Sequence, residues 1–141
     1  MSIVNEKKSE LNERQLEAVN TVKGPVVIIA GPGTGKTKTL VERTVNILVN
    51  EKIAAKQIMI TTFTNKAARE LELRINESLE NSNQSIDISD MYIGTMHSIW
   101  TRLIEENIIY SKFFDNFELM SGDYEQHFFI YSRLKEYKKL E

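Results

Sequence analysis

Apolar positions along the chain follow two alternating rhythms. Val26, Val27, Ile28, Ile29 and Ala30 form an unbroken apolar run, the pattern of a strand covered on both faces. Ile58 to Thr62 and Met91 to Gly94 are two further short runs that read as strands. Behind each run, apolar residues recur every three or four positions and so share one stripe of a helix. The first stripe is Leu40, Val41, Thr44, Val45, Leu48 and Val49; the second is Ala67, Ala68, Leu71, Ile75 and Leu79. The third is Met96, Ile99, Trp100, Leu103 and Ile104, with Trp100 expected in the core. Strand then helix, three times over, predicts an α/β fold with a mostly parallel sheet flanked by helices. Residues 81 to 89, rich in Ser and Asn, read as a surface loop. From Tyr110 the alternation stops, and Asp123 to Leu140 reads as one more helix. Its Tyr124, Phe128, Tyr131, Leu134 and Tyr137 make an aromatic face that needs cover.

Composition narrows the picture. The 141 residues, 41% of them apolar, suffice for one packed domain. Eighteen Lys and Arg against 20 Asp and Glu, a formal charge of -2, exclude a globally basic nucleic-acid coat but leave room for a local basic groove. The absence of cysteine removes disulfides, thiolate zinc sites and thiol catalysis together, and suits a reducing compartment. Residues 1 to 10 are polar, without the apolar core of a secretory signal, and no apolar run approaches the ~18 residues of a membrane span. A cytoplasmic protein with no membrane partner is expected.

The first strand leads directly into Ala30-Gly31-Pro32-Gly33-Thr34-Gly35-Lys36-Thr37, in the strand, Gly-rich loop, helix context of a Walker A phosphate loop. Small residues let backbone N–H groups turn toward phosphate oxygens, and the following helix presents its electropositive end to the same anion. Lys36 adds a mobile positive charge for the β- and γ-phosphates, and Thr37 offers a hydroxyl to Mg²⁺. The first position of the usual Gly-x-x-x-x-Gly-Lys-Thr pattern is Ala30 here, and a small residue still fits. The loop implies a nucleoside triphosphate with Mg²⁺, without saying what its energy serves.

Four segments between Leu11 and Trp100 resemble the N-terminal part of superfamily 1 DNA helicases of the UvrD, Rep and PcrA type. Besides the phosphate loop, Leu11-Asn12-Glu13-Arg14-Gln15 resembles the Q motif, which implies that Gln15 reads the adenine edge. A second reading of the same residues has Asn12 capping a helix and Gln15 reaching back as its capping-box partner. Thr61-Thr62-Phe63-Thr64-Asn65-Lys66-Ala67-Ala68-Arg69-Glu70-Leu71 is similar to motif Ia, where the aromatic ring stacks on a base of single-stranded DNA. The alternative places Phe63 in the core, with Lys66 and Arg69 on a solvated helix face. Gly94-Thr95-Met96-His97-Ser98 resembles motif Ib, with Met96 where the family more often has Phe. A His at a helix start also serves as a capping or packing residue. Lys38 stands where close relatives often place Arg against the nucleotide.

The resemblance implies a RecA-like P-loop domain, incomplete here, over 11 to 109 (domain 1A), and a helical segment over 110 to 141 leading toward domain 1B. It implies that Gln15 and Ala30 to Lys38 hold ATP, with Thr37 on the metal. Phe63, Thr64, Asn65, Lys66, Thr95, His97 and Ser98 then face single-stranded DNA near a duplex junction. The parent activity it implies is ATP-dependent 3′ to 5′ translocation with unwinding, in processes such as DNA repair. Hydrolysis in this class uses an Asp-Glu pair and later arginines, and no Asp-Glu pair occurs in the chain. Asp87 and Asp90 flank Ile88 in a polar stretch that does not read as a buried strand. The expectation is therefore nucleotide binding with little or no turnover, and self-association or partial disorder through exposed sheet edges. The competing readings are a P-loop phosphotransferase and a nonenzymatic nucleotide-binding module.

Overall fold

The computed structural model describes residues 11–107, 120 and 122–137. The expected tail over 1–10, the start of the terminal segment at 110 and the last residues of its helix, 138–140, lie outside them. The described residues form an α/β arrangement of five α-helices and two strands. In chain order these are α1 (Glu13–Asn20), α2 (Lys36–Val49), β1 (Met59–Thr62), α3 (Asn65–Asn81), β2 (Tyr92–Thr95), α4 (Met96–Glu106) and α5 (Asp123–Tyr137). A single 3-10 turn, Ala55–Gln57, precedes β1. Two compact units divide the chain, Met1–Ile99 and Trp100–Glu141.

In the first unit β1 and β2 pair in parallel, with Met59 opposite Tyr92 and Thr62 opposite Thr95. Parallel pairing requires a crossover, and α3 supplies it. Its stripe of Ala68, Leu71, Ile75 and Leu79 is buried and α3 packs on both strands. The same helix also meets α2, which buries Val41, Val45 and Leu48 in one cluster with Leu71, Ile75 and Leu79, and α2 in turn carries α1. The core therefore lies around α3, where Ile60, Ile88 and Met91 join the helical stripes and Ile75 is fully enclosed.

Polar groups that enter this core are all satisfied. Thr39 Oγ1 donates to the Gly35 carbonyl at 3.0 Å and Thr44 Oγ1 to the Leu40 carbonyl at 2.9 Å, each one turn back along α2. Asn46, buried on the face of α2 toward α1, donates from Nδ2 to the Val19 carbonyl at 3.2 Å. The Arg43 guanidinium donates to the Ala18 and Thr21 carbonyls, capping the negative end of α1. Among the described residues no buried side-chain nitrogen or oxygen lacks a partner.

Two expectations are corrected. The run Val26 to Ala30 makes no ladder and is exposed, with Val27 83% and Ile29 94% accessible. It lies beside Arg14, Glu17, Ala18 and Thr21, leaving a groove of about 380 Å³. An apolar run states a demand for burial but does not name the strands that meet it, and none of the described residues pairs with this one. Trp100 is also not in the core, being 61% accessible, whereas Ile99 beside it is buried. Periodicity placed both on one stripe, but helical neighbours differ by about 100° and only Ile99 faces the core. In the second unit, Tyr124, Phe128, Tyr131 and Leu134 of α5 are exposed, and Arg133 stacks over Phe129 at 4.3 Å from the ring centre. No described helix is long and apolar enough to cross a membrane.

Burial of this kind separates structural from surface apolar residues. Ile75→Ala should cost about 2–5 kcal/mol in urea unfolding, because it empties the centre of the core. Phe63→Ala, on the surface, should stay within about 0.5 kcal/mol of the parent chain in the same measurement.

Candidate functional site

The Gly-rich loop owes its shape to two glycines with left-handed backbones, Gly33 at φ 72° and Gly35 at φ 83°. Gly35 is also the N-cap of α2, and no side chain caps the helix there. The cap residue thus puts no side chain over the first turn of α2, and the helix end is electropositive. Within the loop Thr34 Oγ1 donates to the Gly31 carbonyl at 2.8 Å. Lys36 folds back so that Nζ donates to the carbonyls of Ala30, at 3.0 Å, and Gly31, at 2.6 Å. An ammonium ion is therefore held inside the curve of the loop by two backbone dipoles. Pro32, Lys36 and Thr37 are exposed, and Lys38 is half-buried.

Gln15 reaches this loop from α1. The capping box is formed: Gln15 N–H donates to Asn12 Oδ1 and Asn12 N–H to Gln15 Oε1, both at 2.9 Å. The same side chain donates from Nε2 to the Thr34 carbonyl at 3.0 Å. Gln15, Ala30, Thr34 and Lys36 line a cleft of about 150 Å³. Asn12, Arg14, Ala18, Ile28, Ile29 and Thr39 complete its wall. Arg14 and Thr39 were not singled out by sequence reasoning. The signal for Arg14 was its place beside Gln15.

The other predicted residues gather at the carboxyl ends of the strands. Because Thr62 stands opposite Thr95, the segments that follow, Phe63 to Lys66 and Met96 to Ser98, leave the same end of the sheet. Phe63 is fully exposed at 104% of its reference surface, so the reading that buries it fails. Thr64 is the N-cap of α3, accepting from the Ala67 N–H at 3.1 Å. Thr95 does the same for α4, accepting from the Ser98 N–H at 3.3 Å, while Ser98 Oγ donates to the Thr95 carbonyl at 2.9 Å. Asn65, Lys66 and His97 are exposed. Gly94 makes this close turn possible, since a Cβ there would stand 2.5 Å from Ser98 Oγ.

Asp87 and Asp90 lie on no strand. The Ser89 N–H donates to Asp87 Oδ1 at 2.9 Å and holds that exposed carboxyl below the ordinary carboxylate range. Among the described residues no three His, Cys, Asp or Glu side chains group to hold a metal.

Comparison with known proteins adds an independent observation. A family model described as UvrD/REP helicase N-terminal domain matches residues 11–141. The chain is 41% identical over 98 residues to ATP-dependent DNA helicase SRS2 of Saccharomyces cerevisiae, covering 68% of this chain and 8% of that protein. It is 38% identical over 106 residues to ATP-dependent DNA helicase PcrA of Bacillus subtilis, covering 75% and 14%. With DNA helicase II of Haemophilus influenzae it shares 34% identity over 123 residues, covering 87% and 17%. The chain thus spans less than a fifth of the length of these relatives.

The two threonine caps carry a direct test. Thr64→Ala and Thr95→Ala should each lower stability by about 1 kcal/mol in thermal or urea unfolding, and Thr→Ser at either position should restore most of it.

Proposed function

The chain belongs to the UvrD/REP helicase N-terminal domain family, and from that premise we propose that it is the ATP-binding and DNA-gripping first part of an ATP-dependent DNA helicase. The observation that supports this best is the loop at residues 31–36. Glycine, not a capping side chain, opens α2, and an ammonium ion sits within reach of the same helix end. Such a site suits a triphosphate: phosphate oxygens can take the N–H groups of α2, and the Lys36 ammonium exchanges two carbonyl partners for stronger charge-assisted bonds. Ala30 to Lys38 and Gln15 form the nucleotide site in this reading. The exposed Thr37 hydroxyl would be the protein's ligand to Mg²⁺. The ion supplies charge neutralisation on the phosphates.

Single-stranded DNA is proposed to run across the carboxyl ends of β1 and β2. Phe63 offers a bare ring to a base, and Asn65, Lys66 and His97, exposed on the segments that leave the same end of the sheet, are proposed to face the backbone. Thr64, Thr95 and Ser98 have their hydroxyls in helix caps, so they shape the surface more than they donate to it. In the longer protein, ATP closing a cleft between this domain and a second RecA-like domain would drive 3′ to 5′ stepping and duplex separation. Residues 11–109 are proposed as part of domain 1A and 110–141 as the approach to domain 1B. These residues alone, without an Asp-Glu pair, are proposed to bind ATP without turning it over.

Isothermal titration with ATP and Mg²⁺ tests the nucleotide site: Lys36→Ala should remove measurable binding, and unchanged affinity would refute the assignment. For DNA, Phe63→Ala should weaken binding to an oligothymidylate roughly five- to a hundredfold, the scale of one lost base stack. DNA-stimulated ATP turnover by the parent chain would contradict the proposed inactivity. Exposed Val27, Ile29 and Met59 should also make the chain self-associate, so a monomer at all concentrations in sedimentation equilibrium would count against open sheet edges.

A further inference from the structure

The Gln15 side chain makes two hydrogen bonds that base reading does not require. Its Oε1 accepts from the Asn12 N–H and its Nε2 donates to the Thr34 carbonyl, 19 positions away in the phosphate loop. These partners fix which end of the carboxamide is which, because only the oxygen can face an N–H and only the nitrogen a carbonyl. The contact is close enough to constrain the next residue: a Cβ at Gly35 would lie 2.9 Å from Gln15 Nε2. A carboxamide has two N–H groups and two lone pairs. Half are used here, and one N–H and one lone pair remain, which is what the N7 and N6-amino positions of adenine demand.

We propose that Gln15 is a positioning residue for the phosphate loop, setting affinity for a polyphosphate whatever base is attached, besides any contact it makes with the base. The peptide bond after Thr34 is planar and trans, so pinning the Thr34 carbonyl toward α1 also fixes the direction of the Gly35 N–H, an amide at the mouth of α2. The capping box holds Gln15 still while it does this. The proposal rests on the reading of this loop as a phosphate site.

Inorganic tripolyphosphate, which has no base, separates the two roles. Gln15→Ala in the 141-residue chain should lose about five- to tenfold in tripolyphosphate affinity by calorimetry, the scale of one neutral hydrogen bond. ATP affinity should fall by at least the same factor. Gln15→Glu provides a ligand-free check, because a carboxylate still accepts from Asn12 N–H but cannot donate to Thr34. In that variant helical content and melting should match the parent, while the Thr34 carbonyl-carbon NMR resonance moves and the amide order parameters of Gly33 to Lys36 fall. Tripolyphosphate binding that Lys36→Ala abolishes but Gln15→Ala leaves intact, or Thr34 and loop signals unchanged in Gln15→Glu, would overturn this role alone. A parent chain that binds no tripolyphosphate would overturn the phosphate-site reading and this role with it.

Discussion

A helix leaves its first N–H groups without partners, and how this chain disposes of them separates scaffold from chemistry. At α3 and α4 a threonine at or just beyond a strand end folds its hydroxyl over the exposed amides. At α2 the corresponding place is Gly35, which has no side chain to do so. The N-termini of α1, α3 and α4 are therefore covered by the protein's own side chains, and that of α2, beside Lys36, has no side-chain cap. The nucleotide site proposed at the Gly-rich loop, and the positioning role proposed for Gln15, both depend on that difference.

The open end has to be held in place by the rest of the first unit. Helix α2 is fixed on one side by the apolar stripe it shares with α3, and on the other by polar bonds to α1. Arg43 and Asn46 reach the last carbonyls of α1, so the short helix carrying Gln15 is tethered at its far end as well as through its capping box. An eight-residue helix is marginal in isolation, and these bonds make it a fixed arm beside the loop.

Much of this was legible in the residues, and the failures have physical causes. Strands β1 and β2 lie within one residue of the apolar runs that announced them, and the stripes of α2 and α3 face the core except for Ala67, which is exposed, with Leu40 and Val49 half-buried. Of the two readings of Gln15, the capping box is present, and the side chain also reaches the loop through the Thr34 carbonyl, a contact that neither reading named. The run Val26 to Ala30 was misread as a formed strand because strand character depends on partners that a local pattern does not contain. Trp100 was misplaced because a five-residue stripe covers a wide arc, and the core takes only part of it. Thr64 and Thr95 stand out in the sequence through resemblance to DNA-facing motifs; in the structure their hydroxyls accept from the Ala67 and Ser98 N–H groups and cap helices.

The alignment of β1 against β2 also acts as a vernier. Sliding one strand by a single residue would displace the start of α4 by about 3.3 Å and turn each β2 side chain to the opposite face. The spacing between the ring of Phe63 and the first turn of α4 is thus quantised by the ladder, so it can be held or lost but not gradually stretched.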